Sequence, residues 1–408
     1  MNCRHCGEEL TNTFVDLGKS PPSNSYLNGS ALKELEKWYP LRVVVCEKCW
    51  LVQTDDFVGA DEMFSEDYAY FSSFSTSWLS HAKTYVDKMT NMLELTEKSL
   101  VVEVAANDGY LLQYVQQKSI PCYGIEPTHS TAQAAREKDL DIIEEFFGTA
   151  KAEALVHDGR QADLTVANNV LAHVPDINDF VRGFSVLLKD HGVATFEFPH
   201  LLNLVQLNQF DTIYHEHYSY LSLTAVQKIF IANGLTVFKV EEFPTHGGSL
   251  RVYAQRTDTG CRKLDDSVAE IIDKEDMAGM TTVAFYDGFQ GKANTIKNDF
   301  LGFLQEAKKQ EKKVAGYGAA AKGNTLINFA GIGPDLIPYI VDRNPAKQNK
   351  FLPGSKIPIF GEERLKLDCP DYVVIVPWNL RREIIEQLNY IKEWGGNFVT
   401  AVPELKVE

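Results

Sequence analysis

Ten consecutive residues, IYHEHYSYLS (213–222), hold two histidines, a glutamate and three tyrosines. A set of titratable side chains this dense has three readings: a metal site, an acid/base cluster, or a polar loop with no role. Histidine exchanges protons near neutral pH, which makes it the natural general base. A metal reading needs several ligands converging on one ion. His215 and His217 stand two apart, which on a strand would put them on one face. They lack the HExxH helical spacing, and the pattern specifies no third ligand. A better metal signal lies at the start of the chain. Cys3, Cys6, Cys46 and Cys49 form two CxxC pairs among seven cysteines. Four thiolates suit tetrahedral zinc and leave no open coordination position, so the ion would be structural. The 39 residues between the pairs exceed the usual zinc-ribbon gap. Loop closure tolerates this, because it costs only roughly 0.6 kcal/mol per doubling of length. Cys122, Cys261 and Cys369 are isolated and read as packing residues.

Those side chains need elements to hold them. A chain of 408 residues is too long for one core, and two or three domains are expected. Its net charge of −16 opposes a nucleic-acid partner, while a local basic pocket could still seat a small anion. No run of about 18 apolar residues offers a membrane span. The start, MNCRHCGEEL, has no signal-peptide pattern, so a cytoplasmic location is expected. LGKSPPSNSYL (17–27) reads as an extended loop inside the long cysteine gap.

From about residue 80 the pattern becomes repeated strand–helix units. SLVVEVAANDGYLLQYVQQ (99–117), PCYGIEP (121–127), ADLTVANNVLAHV (162–174) and GVATFEFPH (192–200) supply four strands. Alternation of this kind implies a parallel sheet with ligands at the strand carboxyl ends. The first turn, Glu103 to Gly109, is not GxGxxG. Ala105, Ala106 and Gly109 are small enough to let the backbone approach a ligand. Glu126 ends the second strand, where an acid can accept both hydroxyls of a ribose. A nucleoside without a pyrophosphate fits this arrangement better than NAD, and S-adenosylmethionine is such a ligand. After the histidine cluster, Ser222 can cap a helix with a stripe of Leu223, Val226, Ile229 and Phe230, ended by Gly234.

The third region starts near 256. Residues 262–312 are charged and helix-rich, a composition usual for solvated helix faces. VAGYGAAAKGNTL (314–326) then reads as strand, glycine turn and helix, without the order of a Walker loop. YIVD (339–342), YVVIVPW (372–378) and FVTAVP (398–403) complete a second doubly wound sheet. The fold class is therefore α/β. A small zinc-binding domain (1–60) precedes a central doubly wound domain (61–255) and a second Rossmann-like domain (256–408). Helix-start N–H groups with Lys322 can bind phosphate. Arg343, Lys347 and Lys350 form a basic spot beside them, which reads as the pyrophosphate seat of a nucleotide-sugar. Tyr317 and Trp378 could stack on the base. Arg251 could hold a phosphate.

The ordered blocks CxxC…CxxC, VEVAANDGYLL, NNVLAHVPD, DTIYHEHYSY, HGGSLR and GYGAAAKGNTL resemble the zinc-containing sugar C-methyltransferases along nearly the whole chain. These enzymes methylate a carbon of a nucleotide-linked 4-keto-deoxysugar. The resemblance implies S-adenosylmethionine as cofactor, held by Glu103, Ala105, Asn107, Gly109, Glu126, Asn168 and Asn169. It implies His217 as the base that takes the proton alpha to the ketone, with Glu216 and Tyr214 orienting it or the substrate. His173 would bond the sugar and Tyr68 would close the site. His246, Tyr317, Lys322, Asn324, Arg343, Lys347 and Trp378 would hold the nucleotide-sugar. Ala105 departs from the glycine of many methyltransferases, which narrows the cofactor turn. The residues by themselves separate neither Tyr68 from Tyr70 nor His215 from His217. Two other classes compete: an NAD-dependent oxidoreductase using GYGAAAKG with Asp342 as its acid, and a zinc-headed protein that only binds.

Overall fold

A computed structural model describes residues 1–55 and 71–408. Tyr68 and Tyr70 lie outside the described residues. The N-terminal sheet is antiparallel and runs Asn12–Ser20, Tyr39–Val45, Val52–Thr54, then Ser219–Tyr220. Its fourth strand thus comes from within the histidine cluster, two residues past His217. The first strand extends through Leu17-Gly18-Lys19, where an extended loop was expected. Gly18, at φ 75°, forms a bulge between Asp16 and Lys19. Pro21 and Pro22 have no N–H to offer a ladder, and the strand ends before them.

Seven strands form the central sheet. Their spatial order is Leu235–Phe243, Ser249–Arg256, Leu188–Pro199, Ala162–Asn168, Val101–Val104, Cys122–Ile125 and Ile142–Ile143. The last five are parallel and the first two add an antiparallel edge. Helices cover both faces, which is why VVEV (101–104) is buried at every position. Val101–Val104 has Cys122–Ile125 on one side and Ala162–Asn168 on the other. The order of strands reverses there, and the crevice opens at that strand's carboxyl end. Helix Leu223–Ala232 starts at Ser222, whose hydroxyl accepts from the Ala225 N–H at 3.1 Å. Leu223, Val226, Ile229 and Phe230 are fully buried, as the stripe requires.

The C-terminal sheet runs Ile359–Phe360, Ile340–Val341, Val314–Tyr317, Tyr372–Ile375, Asn397–Thr400 and Lys406–Val407, with only the last strand antiparallel. Helix Ala321–Phe329 lies tightly on it, since a Cβ on Gly323 would sit 1.9 Å from Val376 Cγ1. The charged stretch contains helices Asp266–Ala278 and Phe289–Lys309. The second is solvated on one face only. Phe289, Ala293, Ile296, Phe300 and Leu304 form a buried stripe at helical spacing. One apolar cluster joins Phe14 and Val43 of the N-terminal sheet to Leu204 and Phe210, and to Phe300, Leu326 and Val376 of the C-terminal unit. A second cluster joins Cys46, Cys49 and Leu51 to Val102 and Phe196 of the central sheet, so the N-terminal unit packs on both of the others. Among the described residues no helix is long and apolar enough to cross a membrane.

Candidate active site

A cavity of about 540 Å³ occupies the crevice. One wall, where the cofactor is expected, is the turn after Val101–Val104. Ala105 (φ 58°) and Asn107 (φ 49°) both adopt left-handed backbone there, a strain that non-glycine residues keep mainly at functional turns. Glu126 caps the turn: its Oε2 accepts from the Asn107 N–H at 3.0 Å and its Oε1 from the Thr128 N–H at 2.9 Å. Burial pushes this carboxyl up, and the two amides pull it partly back. A carboxylate has about four lone-pair sites. Glu126 lines the cavity, and a carboxylate can accept from the hydroxyls of a ribose diol. Asn168 and Asn169 line the same wall.

Two expected cofactor residues are placed elsewhere. Glu103 is fully buried within the sheet and does not line the cavity. Desolvation pushes its carboxyl well up. Gly109 (φ 73°) is close to a helix, since a Cβ there would meet Leu140 Cδ1 at 2.3 Å and Ala135 Cβ at 3.3 Å. It is glycine for backbone conformation and helix packing, and not for ligand approach. Sequence reasoning missed Glu145, Phe146 and Phe147, which line the far end of this wall. They follow the short strand Ile142–Ile143 at its carboxyl end, and the rule that places ligands at strand ends would have found them.

The other wall carries the titratable cluster. His173, Tyr214, Glu216, His217 and His246 all line it. Residues 214–217 form a tight turn closed by the His217 N–H on the Tyr214 carbonyl at 2.9 Å. A turn sends the two imidazoles apart, and the shared face expected of a strand does not form. His215 Nε2 reaches the Pro40 carbonyl at 3.1 Å, away from the cavity. His217 Nδ1 lies 2.8 Å from the Thr212 carbonyl. A carbonyl only accepts, so Nδ1 carries the proton and the neutral ring keeps its lone pair on Nε2. Burial, then the facing His173, lower the His217 pKa well below the ordinary value, with Lys322 and His246 adding to the effect and the Thr212 carbonyl opposing it. The His217 ring stands 4.6 Å from that of His173 and 4.0 Å from that of Tyr214. Burial also lowers His173, to about 4, partly offset by a hydrogen bond to the Glu216 backbone. His246 (φ 55°) is lowered to about 4 by burial and then Lys322, and its Nε2 accepts from the Asn169 amide at 3.1 Å.

Asn24, from the loop after the first strand, also lines the cavity, and its Nδ2 donates to Glu216 Oε2 at 2.6 Å. The C-terminal unit supplies Ala320, Ala321, Lys322 and Lys347. Lys322 Nζ donates to Asn379 Oδ1 at 2.7 Å and lies 4.5 Å above the Trp378 ring. Lys347 Nζ donates to the Ala319 carbonyl at 2.8 Å.

Four expected substrate residues do not line the cavity. Trp378 donates its indole N–H to Asp211 at 2.7 Å and serves as a platform for Lys322. The Tyr317 hydroxyl accepts from Gln387 at 2.7 Å. Asn324 is fully buried and donates to the Ser23 carbonyl at 2.6 Å, pinning the N-terminal loop. Arg343 reaches Gln387 Oε1 at 2.9 Å. Arg251 is no phosphate ligand: it is 2% exposed, paired with Glu197 at 2.5 Å, and its guanidinium lies 4.5 Å from the Tyr85 ring. Asp342 ties its own loop to the glycine turn: it accepts from the Ala319 N–H at 2.7 Å and the Asn344 N–H at 2.8 Å. It does not line the cavity, so the structure does not present it for the ribose role that the NAD reading required.

The four zinc-pattern cysteines converge. Their sulfurs all lie within 4.8 Å of one another, with Cys3–Cys49 and Cys6–Cys46 at 3.5 Å. Tetrahedral zinc at about 2.3 Å from each sulfur places the sulfurs about 3.8 Å apart, so the set fits. Gln53 Nε2 donates to Cys3 Sγ at 3.3 Å and orients it.

An acid at the switch point of a doubly wound sheet, joined to a closed four-thiolate site, is what the expected zinc-containing methyltransferase requires. Comparison with known proteins leads to the same class. Residues 3–64 match the family described as "Putative zinc binding domain", 78–240 a methyltransferase domain, and 244–403 the C-methyltransferase C-terminal domain. The chain is 32% identical over 405 residues to C-methyltransferase NovU of Streptomyces niveus, covering 99% of this chain and 96% of that one. Among solved structures, magnesium protoporphyrin IX methyltransferase of Synechocystis PCC 6803 with bound SAH covers 44% of this chain and 83% of its own at 16% identity (TM-score 0.36). The PH0226 protein of Pyrococcus horikoshii OT3 covers 46% and 95% at 13% identity (TM-score 0.38). Likenesses this weak carry no weight for function. The chain belongs to the C-methyltransferase family. S-adenosylmethionine is its methyl donor and its zinc is structural.

Proposed function

We propose that the protein transfers a methyl group to C3 of a nucleotide-linked 4-keto-6-deoxysugar, in deoxysugar biosynthesis. The observation that carries this reading is the fixed tautomer of His217. With Nδ1–H held by the Thr212 carbonyl, Nε2 presents a lone pair to a cavity that also holds the cofactor wall and the two C-terminal lysines. Carbon becomes a nucleophile only after losing a proton, and a ketone next to it makes that loss accessible. His217 Nε2 takes the C3 proton, and the C–H electron pair moves into the C3–C4 bond as the ketone oxygen becomes an enolate oxygen. Tyr214 offers its hydroxyl to that oxygen. The neutral His173 commits its one N–H to the Glu216 backbone, which fixes its ring against that of His217. Glu216, held by Asn24, accepts a sugar hydroxyl. Bound S-adenosylmethionine supplies an electrophilic methyl. We place the pyrophosphate at Lys322, Lys347 and the first turn of helix Ala321–Phe329.

The test is hydrogen exchange at C3. A panel of nucleotide-linked 4-keto-sugars is incubated in deuterium oxide with the enzyme, cofactor withheld. Deuterium is expected at C3 for the true substrate. Methyl transfer without such exchange in any panel member, and without a primary isotope effect from C3 deuterium, would refute the route. A second expectation concerns the cofactor wall. Glu126→Gln presents an amide N–H to the backbone N–H groups of Asn107 or Thr128 and loses the charge for the diol. Hydrogen bonds to a charged group contribute roughly 1.5–3 kcal/mol. The Kd for S-adenosylmethionine, read by calorimetry, should rise roughly 10–100-fold with the fold intact.

A further inference from the structure

The zinc knuckle reaches the wall of the cavity through Arg4. Arg4 stands between the ligands Cys3 and Cys6. Its Nη1 donates to the Pro175 carbonyl at 2.9 Å, and its Nη2 to the Thr54 carbonyl at 3.0 Å. Pro175 is two residues beyond His173. Thr54 in turn holds the other histidine: its hydroxyl donates to the His217 carbonyl at 3.1 Å, and its N–H to the Tyr218 carbonyl at 3.2 Å. The guanidinium also lies 5.1 Å from the Tyr218 ring. The knuckle backbone is fixed from both sides. The Arg4 N–H donates to Gln53 Oε1 at 3.0 Å, and the Asn178 amide donates to the His5 carbonyl at 2.9 Å. Two segments far apart in sequence are thereby held at a fixed separation, and the facing imidazoles are what they carry.

We propose that Arg4 is a positioning residue for the proton-transfer step, a fork that ties the zinc knuckle to the His173 loop and the His217 turn and sets the spacing of the two rings. The proposal rests on the reading of His217 as the base. A planar guanidinium has donors in a rigid fork and reaches two carbonyls at once. An ammonium donates from a single point and lacks the fork's fixed two-nitrogen span, and a shorter amide reaches neither carbonyl. Catalytic geometry is sensitive to shifts of this kind, because a misplacement of about 1 Å can cost roughly 100-fold in rate.

The experiment compares full-length wild type, Arg4→Lys, Arg4→Gln and His217→Asn. For each, zinc content, S-adenosylmethionine Kd, thermal midpoint and cofactor-free C3 exchange are measured, with rates expressed per chain that binds S-adenosylmethionine. Both Arg4 variants are expected to hold one zinc per chain and to bind cofactor within about twofold of wild type. Their exchange rate and kcat should fall at least about tenfold in Arg4→Gln and less in Arg4→Lys, a range consistent with small displacements of a general base. The acid limb of exchange should also move up toward pH 6.5, as a looser wall lets water reach His217; a residue that only stabilises the fold would not move it. Exchange per competent chain that equals wild type in both Arg4 variants overturns the inference and leaves the base assignment standing. Exchange retained by His217→Asn overturns the base assignment and the inference with it. Should Arg4→Gln fail to fold, Arg4→Lys alone decides by the same per-chain rate and pH limb.

Discussion

Replacing His217 with asparagine should cut kcat and cofactor-free C3 exchange by roughly 100- to 10,000-fold, the usual contribution of a positioned general base. The Kd for S-adenosylmethionine should stay within about twofold, since His217 is on the wall opposite Glu126 in function. Asparagine can still donate to the Thr212 carbonyl and fill much of the ring's place, so the turn at 214–217 should survive. What disappears is the lone pair on Nε2. Retained exchange would remove His217 from the role. The pH profile gives an independent reading. A histidine base is active when neutral, and burial together with the facing His173 places the His217 pKa well below 6.5. The neutral ring therefore persists as pH falls past 6.5, and the acid limb of wild-type exchange should appear below that value. A limb above 6.5 would contradict the buried geometry. The same sign applies to stability. His173 and His246 titrate at about 4 in the folded protein. Below about 6.5 the unfolded chain takes up protons that the folded site refuses, so the thermal midpoint should drop between pH 6.5 and 4.

Much of this site could be read from sequence, and the parts that could not share a cause. Apolar runs such as VVEV and the ATFEF of the long strand announce buried parallel strands, because helices on both faces leave no alternation. The two CxxC pairs announce their metal because the ligand type and count suffice. Glu126 was legible because its place at a strand end follows from topology. The direction of His215 and His217 was not, because it depends on whether the backbone is a strand or a turn, and the turn is held by Thr212 and by Thr54. Asn24 meets Glu216 across 192 residues and Arg4 meets Pro175 across 171, and no local pattern encodes such pairs. Gly109 and Arg251 mislead for a related reason. A glycine near a cofactor turn and an arginine near a glycine-rich turn look functional, yet one is filled by Leu140 and the other is neutralised by Glu197.

Stripping the zinc should abolish turnover, and replacing it with cobalt should not. The four sulfurs close the tetrahedron and leave no position for substrate, so the ion's identity matters little as long as the geometry is kept. Cobalt-loaded enzyme should show thiolate-to-metal absorption and keep kcat within about twofold, as a closed site with no catalytic ligand position implies. Removal is different. Structural zinc in small domains contributes roughly 10–16 kcal/mol of apparent binding free energy, much of it folding free energy. Here the loss would not stay in the first 55 residues. Strand Val52–Thr54 pairs with Ser219–Tyr220 just past His217, the proposed base, and Cys46 and Cys49 form the turn that leads into it. Releasing that turn unpins the ladder holding Tyr218 and the His217 carbonyl. The cofactor wall rests on the parallel sheet and has no strand in common with the zinc sheet. Chelation should therefore lower the melting temperature and stop C3 exchange while S-adenosylmethionine binding survives at temperatures where the central sheet stays folded. Calorimetry and exchange on one chelated sample read both quantities. Full exchange by a metal-free chain would show that the zinc sheet does not hold the base.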